Sequence, residues 1–568
     1  MLSRLALLFL CFAVSTTCCS QAPERFDVLI TELLPDPSPA LGLPAAEFME
    51  LKNVSTAPVN LGGWRVSNGS ATASISTGIM LLPDSMIIIC GNSSVSLYQP
   101  FGRTVGVSNF PSLDNESGVV VLQSAGGKTI HAVAYTQDLY GSSIKSEGGW
   151  SLELIDPGNP CGGGNWKASI DNKGGTPGKS NSVNGPNPDS EAPRLKRSYA
   201  RDSNTLVLVF NESLDSISTA STSNFHLSNN LHVSSAAALP PLFQSVELKL
   251  SGPLTTITSS IEVKGIKDCS GNFTGVFNNT AIGLAVPAMK SDVIINEILF
   301  NPHPGAADYV ELFNPGDKII DAAGLYLATR HPSGAISSPK KLFPSPYYLF
   351  PGEYLVVTED MLSMEQHYFV KNRDAICLLP ALPSYPDTEG TIVLANDQGV
   401  VVDEVSYDED WHFALIANRE GIALERMNPL LPSGDRNNWH SAAQTAGFGT
   451  PGYQNSQLQR QTDGGKLQVS PPIFSPDNDG HDDIASIHYQ LAESGYVANV
   501  FILDAGGRSV RHLVKSALLA LEGSWNWDGL GEKREQLPTG PYIVFTQLFN
   551  LDGRKKEYKS LVVLARKH

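Results

Sequence analysis

Short runs of apolar, often β-branched residues recur along nearly the whole chain. Runs such as "VLITEL", "GVVVL", "LVLVF", "GTIVL" and "VVVDEVSY" are separated at short intervals by Gly, Pro, Asn, Asp and Ser. This pattern is typical of strands in β-sandwiches, and no long stretch after the N-terminus keeps a helical period. We therefore predict an all-β protein. Its 568 residues are too many for one core, and a prior of ~150 residues per domain suggests about four β-sandwich domains in tandem.

Two stretches of the chain repeat the same motifs in the same order. "DVLITELLPDP" from Asp27 recurs as "DVIINEILFNP" from Asp292, and "EFMELKN" from Glu47 recurs as "DYVELFN" from Asp308. "LLPDSMIIIC" matches "LFPGEYLVVT", "SLELIDP" matches "ALERMNP", and each copy closes with an Asn-Trp pair and then "GTPG". A colinear series of this length predicts that each copy folds as one β unit.

Glutamates recur at equal positions on two neighbouring strands of each copy. Alternation places Glu50 on the same face as Phe48, and Glu311 on the same face as Tyr309. The paired acids are Glu32 and Glu50 in the first copy, and Glu297 and Glu311 in the second. A carboxylate on a partly buried face needs partners. We expect structural hydrogen bonding; the alternative is a shared cation site or an acid pair.

These motifs resemble the lamin tail domain, an immunoglobulin-like β-sandwich. The elements that carry the resemblance are the opening "I-x-E-(I/L)-L" strand, "(F/Y)-x-E-L-x-N", "L-x-P-G-(E/D)-Y-L-V" and the closing "NW…GTPG". They cover the first repeat, Phe26–Asn181, and the second repeat, Val293–Asn455, and predict domains at 23–183 and 291–456. The first repeat departs from the pattern at Asp84, where glycine is usual. The resemblance implies a role in binding or assembly and no catalytic centre.

A middle segment joins the two repeats. After the linker-like "NSVNGPNPDSEAP", the motifs "LVLVFNESLD" and "IEVKGIKDCSGN" resemble a bacterial Ig-like module with strands of the form "V-x-V-x-F-(S/N)-E" and a closing "D-x-x-GN". The predicted domain is 192–286. Asp268, Gly271 and Asn272 fit a turn that closes its last strands.

A fourth segment follows a second linker-like stretch. The motifs "FSP-x-x-DG-x-x-D", "(I/L)-x-D-x-x-G-R", "W-x-W-D-G" and "L-P-x-G-x-Y" resemble the Ig-like fold of the flagellar hook-capping protein and the C-terminal modules of Bacteroidetes surface proteins. The predicted domain is 466–568. The resemblance implies either sorting by type IX secretion or ordinary architecture.

The N-terminus indicates export. Arg4 precedes an apolar core too short to span a membrane, which predicts a signal peptide over residues 1–22 with cleavage after Ala22. A lipoprotein acylated at Cys18 or Cys19 is the alternative. We therefore expect a secreted or cell-surface protein, extracellular or at the bacterial outer membrane, with envelope association possible.

The net charge bears on the class of partner, and the cysteines bear on disulfide pairing. The formal net charge of −17 argues against nucleic acid as a partner, since phosphate binding favours a basic surface. The cysteines after the leader are Cys90, Cys161, Cys269 and Cys377. Because Thr358 and Ser433 replace the first two in the second repeat, we predict a Cys90–Cys161 disulfide. The other two are predicted to be isolated, buried thiols.

An acidic loop offers a candidate metal site. Within "FSPDNDGHDD", the carboxylates of Asp477, Asp479 and Asp483 could hold Ca²⁺, which prefers clustered oxygen ligands. The alternative is a plain turn, in which Pro476 presets φ and Gly480 takes a positive φ. No other cofactor is indicated.

Familiar catalytic motifs do not occur in the sequence. There is no HExxH, GxSxG, Walker or dinucleotide motif, and His412 and His440 are expected at the surface or in loops. The leading hypothesis is a secreted or surface modular protein without catalysis, whose partners are proteins or glycans. The alternatives are a metal-dependent extracellular phosphodiesterase or nuclease-associated protein, and a purely structural envelope component. A core position is expected for each of four aromatic residues, and contact with a partner is the alternative: Trp64, Tyr98, Tyr140 and Trp411.

Overall fold

The computed structural model describes residues 23–162, 164–459 and 465–566. The predicted signal peptide, with Cys18 and Cys19, lies outside these residues. The predicted all-β class is confirmed, because the described chain consists of β-sheets with few and short helices. None of the helices in the described part has the length and apolar character that crossing a membrane requires.

The first repeat is a sandwich of two main sheets. Its six-stranded sheet has the order β12-β11-β1-β2-β7-β8 and its four-stranded sheet the order β10-β9-β4-β5, with a small β3-β6 pair. The strands are β1 Val28–Leu34, β2 Phe48–Asn53, β3 Val59–Asn60, β4 Arg65–Ser67, β5 Thr72–Ser74, β6 Met80–Leu81, β7 Met86–Gly91, β8 Thr104–Val107, β9 Ser117–Gln123, β10 Thr129–Thr136, β11 Leu152–Leu154 and β12 Trp166–Ala168. The helices are α1 Val95–Tyr98 and α2 Ser143–Ser146, with 3₁₀ turns at Asn92–Ser94 and Gln137–Tyr140.

The middle segment forms a smaller sandwich. A four-stranded sheet, β13-β14-β17-β16, faces a three-stranded sheet, β15-β18-β19, over a common apolar core. The strands are β13 Leu195–Asp202, β14 Thr205–Phe210, β15 Phe225–Leu227, β16 Val233–Leu239, β17 Ser245–Leu250, β18 Ser259–Val263 and β19 Asn279–Ile282. The helix α3 spans Ser216–Thr219, and a 3₁₀ turn spans Thr222–Asn224.

The second repeat has the strand order of the first. Its sheets are β31-β30-β20-β21-β26-β27, β29-β28-β23-β24 and the pair β22-β25. The strands are β20 Ile294–Leu299, β21 Tyr309–Phe313, β22 Ile320–Asp321, β23 Leu325–Arg330, β24 Ile336–Lys341, β25 Tyr348–Leu349, β26 Tyr354–Thr358, β27 Ile376–Leu378, β28 Glu389–Asn396, β29 Val401–Asp408, β30 Leu424–Arg426 and β31 Trp439–Ser441. The helix α4 spans Met361–His367, and 3₁₀ turns span Ala322–Gly324, Arg373–Ala375, Glu409–Trp411, Arg436–Asn438 and Gln444–Ala446.

The C-terminal segment contributes two further sheets. Their orders are β32-β34-β37 and β33-β39-β38-β35-β36. The strands are β32 Lys466–Ser470, β33 Ile473–Phe474, β34 Ala485–Gln490, β35 Val497–Leu503, β36 Ser509–Leu518, β37 Glu522–Trp527, β38 Gly540–Phe549 and β39 Lys555–Leu564.

The two repeats match in detail as well as in strand order. In both, the last strand of the six-stranded sheet pairs in parallel with its neighbour, β8 with β7 and β27 with β26, while the other pairings in that sheet are antiparallel. In both, the first strand carries a β-bulge, between Ile30 and Glu32 or between Ile295 and Glu297. The sequence repeat is therefore a structural repeat.

One turn shows how the repeats tolerate different residues. Gly352 takes φ +79° in the second repeat, and Asp84 takes φ +57° at the matching position of the first. A positive φ favours glycine, but aspartate tolerates it better than most side chains. The Asp84 carboxylate also lies 2.8 Å from Lys52 Nζ, so the less favourable residue gains an ion pair.

The prediction of a Cys90–Cys161 disulfide is wrong. Cys161, in the loop between β11 and β12, is bonded to Cys269 of the middle segment, with their Cα atoms 6.4 Å apart. Cys90 is a free, buried thiol packed with Phe48 and Tyr98. Cys269 is consequently not an isolated thiol, whereas Cys377 is free and buried as predicted.

The second repeat explains why the two cysteines are absent there together. Thr358, which replaces Cys90, donates to the Asp308 carbonyl at 2.9 Å. Ser433, which replaces Cys161, donates to Asp403 Oδ1 at 2.5 Å. Thr358 and Ser433 thus form hydrogen bonds with different residues. The replacement of both cysteines in the second repeat therefore did not indicate a bond between them.

The units are in close contact with one another. Arg25 donates to Ser213 Oγ at 2.5 Å and to the Leu214 carbonyl at 3.1 Å, and its guanidinium lies 4.0 Å from the centre of the Phe243 ring. Three residues of the second repeat, Ile319, Tyr348 and Phe350, complete the core of the middle segment. Phe413 of the second repeat packs with Val497 and Leu518 of the C-terminal segment.

The disulfide between units gives a first testable prediction. Cys161 and Cys269 are 108 residues apart in the chain, and closing a loop of that length stabilises a fold by roughly 4–5 kcal/mol in the chain-entropy model. We expect alkylation of the denatured, unreduced protein to modify Cys90 and Cys377 alone. The double variant Cys161→Ser/Cys269→Ser should melt earlier than the wild type.

The same variant under reducing conditions is the control, since reduction should lower the melting temperature of the wild type and leave the variant unchanged. A peptide that links Cys90 to Cys161 in the mass spectrum of the digest would contradict the assignment.

Candidate functional site

A row of three buried glutamates crosses the six-stranded sheet of each repeat. Glu32 on β1 faces Glu50 on β2 and Glu153 on β11, and Glu297 on β20 faces Glu311 on β21 and Glu425 on β30. All six side chains are fully buried. Since Met49 and Leu51 lie in the sandwich core, the alternation of strand residues puts Glu50 on the outer face of the sheet.

In the first repeat, the returning chain around "GTPG" covers this face. Thr176 donates from its backbone nitrogen to Glu32 at 2.8 Å and from its hydroxyl to Glu153 at 2.8 Å, and Gly178 N donates to Glu50 at 2.6 Å. The approach is so close that a Cβ on Gly175 would lie 2.6 Å from Glu32 Oε1. We call this segment, Gly175–Gly178, and its counterpart Gly449–Gly452 the straps.

The second repeat repeats the arrangement. Thr450 N donates to Glu297 Oε1 at 2.9 Å, and Gly452 N donates to Glu311 Oε2 at 2.7 Å. The Thr450 hydroxyl lies 2.8 Å from Glu297 Oε2 and 2.9 Å from Glu425 Oε1. One hydroxyl carries a single proton, so the second contact is a hydrogen bond only if one of the two carboxyl groups is protonated.

The electrostatic environment also favours protonated glutamates. Burial, followed by repulsion from Glu425, raises the pKa of Glu297 to about 8, and burial raises the pKa of Glu50 to about 7. Burial, with repulsion between neighbours, raises the pKa of Glu32 and of Glu311 well above the usual range. Desolvation penalises a charged carboxylate, so these four glutamates hold their protons to a higher pH than an exposed glutamate does.

The predicted acid pairs are therefore brought together, each with a third member. Among the described residues, two carboxylate clusters are close enough to share an ion, and neither contains these glutamates. The partners of these glutamates are hydroxyl groups, backbone N–H groups and, for Glu311, the side-chain amide of Asn296, as the hydrogen-bonding interpretation expects. Glu153 and Glu425 were missed, although "SLELIDP" and "ALERMNP" place a glutamate at the same position in both copies.

The bulge beside each row frees a backbone N–H that each repeat satisfies differently. Ile30 N donates to Nδ1 of the buried His131 at 2.9 Å, and burial lowers the pKa of this histidine to about 4. Ile295 N donates to Asp403 Oδ2 at 2.7 Å, and this carboxylate pairs with the buried Arg426 at 3.1 Å. An imidazole and a carboxylate thus accept from the same backbone donor in the two repeats, and the carboxylate is also paired with a guanidinium.

The acidic loop of the C-terminal segment brings Asp477, Asp479 and Asp483 together. One carboxylate oxygen of each lies within 4.8 Å of the others, with the first two residues exposed. Asp483 accepts hydrogen bonds from Asn478 N at 2.6 Å and Gly480 N at 3.0 Å, and Gly480 has φ +86°. The geometry of the turn is as expected, and calcium binding in this loop stays a prediction.

The remaining candidate residues serve the core. Trp64, Tyr98 and Tyr140 are buried, and Trp411 packs partly buried against the core of the second repeat. The expected core position is therefore confirmed for the first three, and these three do not make the external contacts that were the alternative. His412 lies in the loop after the Glu409–Trp411 turn, which is one of the two expected placements, and it is buried there with a hydrogen bond to Ser441 Oγ at 2.9 Å.

A protein-family model matches part of each repeat. The model of the lamin tail domain matches residues 21–137 and 287–409. These two segments make up less than half of the chain, and each ends before the third glutamate and the strap of its repeat. Neither includes the C-terminal segment. No curated protein matches the chain.

Solved structures resemble the chain only distantly. CopC from Methylosinus trichosporium is 18% identical over 18% of this chain and 96% of its own, with a TM-score of 0.14. Domains 1–6 of the surface layer protein SbsC are 12% identical over 67% of this chain and 55% of that chain, with a TM-score of 0.16. PorZ, a surface component of the type IX secretion system of Porphyromonas gingivalis, is 11% identical over 79% of this chain and 56% of that chain, also with a TM-score of 0.16. The superpositions are too poor to carry a functional argument.

The buried rows predict a specific dependence of stability on pH. The folded state holds the Glu297 proton up to a pKa of about 8, compared with an ordinary value of 4.5. Between these values the folded state binds more protons than the unfolded state, so the free energy of unfolding falls as pH rises. Glu297→Gln, which mimics the protonated acid, should match the wild type at pH 5 and melt at a higher temperature than the wild type above pH 8.

Glu389→Gln, on the exposed end of β28 in the same repeat, is the matched control and should follow the wild type at each pH. Melting curves recorded between pH 5 and pH 9 make the comparison. If Glu297→Gln were destabilised most at high pH, the buried glutamate would be ionised in the folded state.

Proposed function

We propose that this chain is a secreted or cell-surface modular protein without catalytic function, whose two lamin tail-like repeats act in binding or assembly. The observation that carries the proposal is the disulfide between Cys161 and Cys269, which joins two different units. Disulfides of this kind form and persist outside the reducing cytosol. The signal peptide expected over residues 1–22 supports the same location.

The closed glutamate rows support a role other than catalysis. Glu297 and Glu311 are fully buried beneath the strap, where their oxygens accept hydrogen bonds from Tyr309, Thr450 and Gly452. A general acid or base must come within hydrogen-bonding reach of its substrate, and the strap occupies that place. The alternative of a metal-dependent phosphodiesterase that uses these acids is therefore not favoured.

The other units take supporting roles in this proposal. The middle sandwich, packed against both repeats, acts as a spacer of fixed geometry. The C-terminal segment, with its resemblance to Bacteroidetes surface modules, acts in sorting through type IX secretion or in attachment to the outer membrane. The partners are proteins or glycans of the cell surface or the surrounding matrix, and the net charge of −17 disfavours nucleic acid.

Surface labelling with thiol trapping tests the proposed location. Intact cells that produce the chain are treated with a membrane-impermeant biotin reagent, and the chain is then alkylated before reduction. We expect the chain to be biotinylated, with Cys161 and Cys269 protected from alkylation and Cys90 and Cys377 reactive after denaturation. A chain that escapes biotin and carries four reactive thiols would overturn the proposal.

A hydrolysis assay separates the proposal from the enzymatic alternative. The purified chain and Glu297→Gln/Glu311→Gln are incubated with a phosphodiester substrate and Mg²⁺, Mn²⁺ or Zn²⁺. Neither protein should hydrolyse it above the metal-only background. Activity of the wild type that the double variant lacks would favour the enzyme. Sedimentation of the chain alone addresses the purely structural alternative, which expects self-association without a ligand.

A further inference from the structure

A cluster of three carboxylates lies where the first repeat joins the middle segment. Asp189 belongs to the connecting chain, Glu212 follows β14, and Asp268 lies in the turn before β19. One carboxylate oxygen of each lies within 4.8 Å of the other two. Glu212 and Asp268 are only 4% and 1% exposed, and Asp189 is partly buried, so the cluster is largely buried and comes from three separate parts of the sequence.

The hydrogen bonds at the cluster leave part of its negative charge without a partner. Asp268 is satisfied by Gly271 N, Asn272 N and Asn272 Nδ2 at 2.6, 2.9 and 2.8 Å. Asp189 uses Oδ1 to accept from Glu191 N at 3.0 Å, but its Oδ2 is buried with no hydrogen-bond partner among the described residues.

Glu212 is buried but accepts few hydrogen bonds. The one hydrogen bond that it accepts within the described part of the chain comes from Asn211 Nδ2, at 3.2 Å to Oε1. Burial and then repulsion from Asp189 and Asp268 raise the pKa of Glu212 to about 7. Three acidic groups this close and this buried are unfavourable unless a proton or a cation lies between them.

We propose that Asp189, Glu212 and Asp268 form a binding site for a divalent cation, with Ca²⁺ as the favoured ion. The ligand atoms are carboxylate oxygens alone, which suits a hard cation and not the nitrogen and sulfur preferences of zinc or copper. The bound ion takes the place of the missing partner of Asp189 Oδ2. It also removes the mutual repulsion that burial imposes on the three acids.

The position of the site gives the ion a structural role. Cys269 follows Asp268 directly, so the disulfide to Cys161 and the ion site fasten the same corner of the middle sandwich to the first repeat. Asn187, two residues before Asp189, is itself tied to the first repeat through Asp156 Oδ2 at 2.9 Å. Ca²⁺ thus fixes the connecting segment between the two units and does not take part in a reaction.

The acidic loop of the C-terminal segment provides a matched comparison. It also holds three aspartates within 4.8 Å of one another, but two of them are exposed. Exposed acidic groups keep their hydration and need no ion, so clustering alone does not distinguish the two places. The two clusters differ in that Glu212 and Asp268 are buried and that Asp189 Oδ2 has no hydrogen-bond partner among the described residues.

The test compares these two clusters in the full chain. Ca²⁺ is titrated calorimetrically into the metal-free protein, into Asp189→Asn/Glu212→Gln, and into Asp477→Asn/Asp479→Asn/Asp483→Asn. We expect the first variant to lose one Ca²⁺ equivalent of the wild type, which the loop variant retains. Asp189→Asn alone should weaken binding of this ion by at least about tenfold, since the charge count of the ligands sets calcium affinity.

Melting temperatures provide the control for folding. Without Ca²⁺, Asp189→Asn/Glu212→Gln should melt no earlier than the wild type, because the substitutions remove repulsion. Added Ca²⁺ should raise the melting temperature of the wild type and of the loop variant by more than it raises that of the double variant. If the double variant folds poorly, the affinity of Asp189→Asn decides the question.

The proposal is overturned if the wild type binds no Ca²⁺, or if Asp189→Asn/Glu212→Gln binds it with wild-type stoichiometry and affinity. Loss of all binding in the loop variant alone would instead assign the ion to Asp477, Asp479 and Asp483.

Discussion

The burial of three carboxyl groups side by side is the constraint on which each repeat depends. The outer face of the six-stranded sheet would expose its buried glutamates if the chain did not return across it. The strap makes this return, and the glutamates give its backbone N–H groups the acceptors that buried donors require. In the second repeat the hydroxyl of Thr450 joins two acids, so the row and its cover form one network. Such networks specify a single arrangement when every member is satisfied.

The two repeats keep this network but vary what surrounds it. A bulge in the first strand frees one N–H in each copy, which donates either to Nδ1 of His131 or to Oδ2 of Asp403. In the second repeat the carboxylate of Asp403 also contacts two other side chains, those of Arg426 and Ser433. The position of Ser433 in the first repeat is therefore free for Cys161, whose partner lies in another unit. Substitutions that look independent in the sequence are linked through one backbone donor.

Contacts between units set this chain apart from domains on flexible linkers. The segment expected to be a linker, residues 181–193, begins with Asn181, whose amide donates to the carbonyls of Thr31 and Leu154 at 2.8 Å each. On the other side of the middle sandwich, Tyr348 donates to the Ala200 carbonyl at 2.9 Å. Polar composition predicts a connecting segment, but it does not tell whether its amides bind water or a neighbouring strand.

The sequence by itself determined the strands, the repeat and the face on which the glutamates lie, because these follow from alternation and from colinear motifs. Because side chains two residues apart lie on the same face of a strand, the sequence places Glu50 on the face of Phe48 and Glu311 on the face of Tyr309. The structure agrees. Only the tertiary structure decided which distant residues meet. It joined Cys161 to Cys269 and not to Cys90, added Glu153 and Glu425 to the rows, and gathered Asp189, Glu212 and Asp268 from three segments. The physical reason is that local spacing fixes the direction of a side chain, whereas its partner depends on how whole sheets and their connecting chains pack.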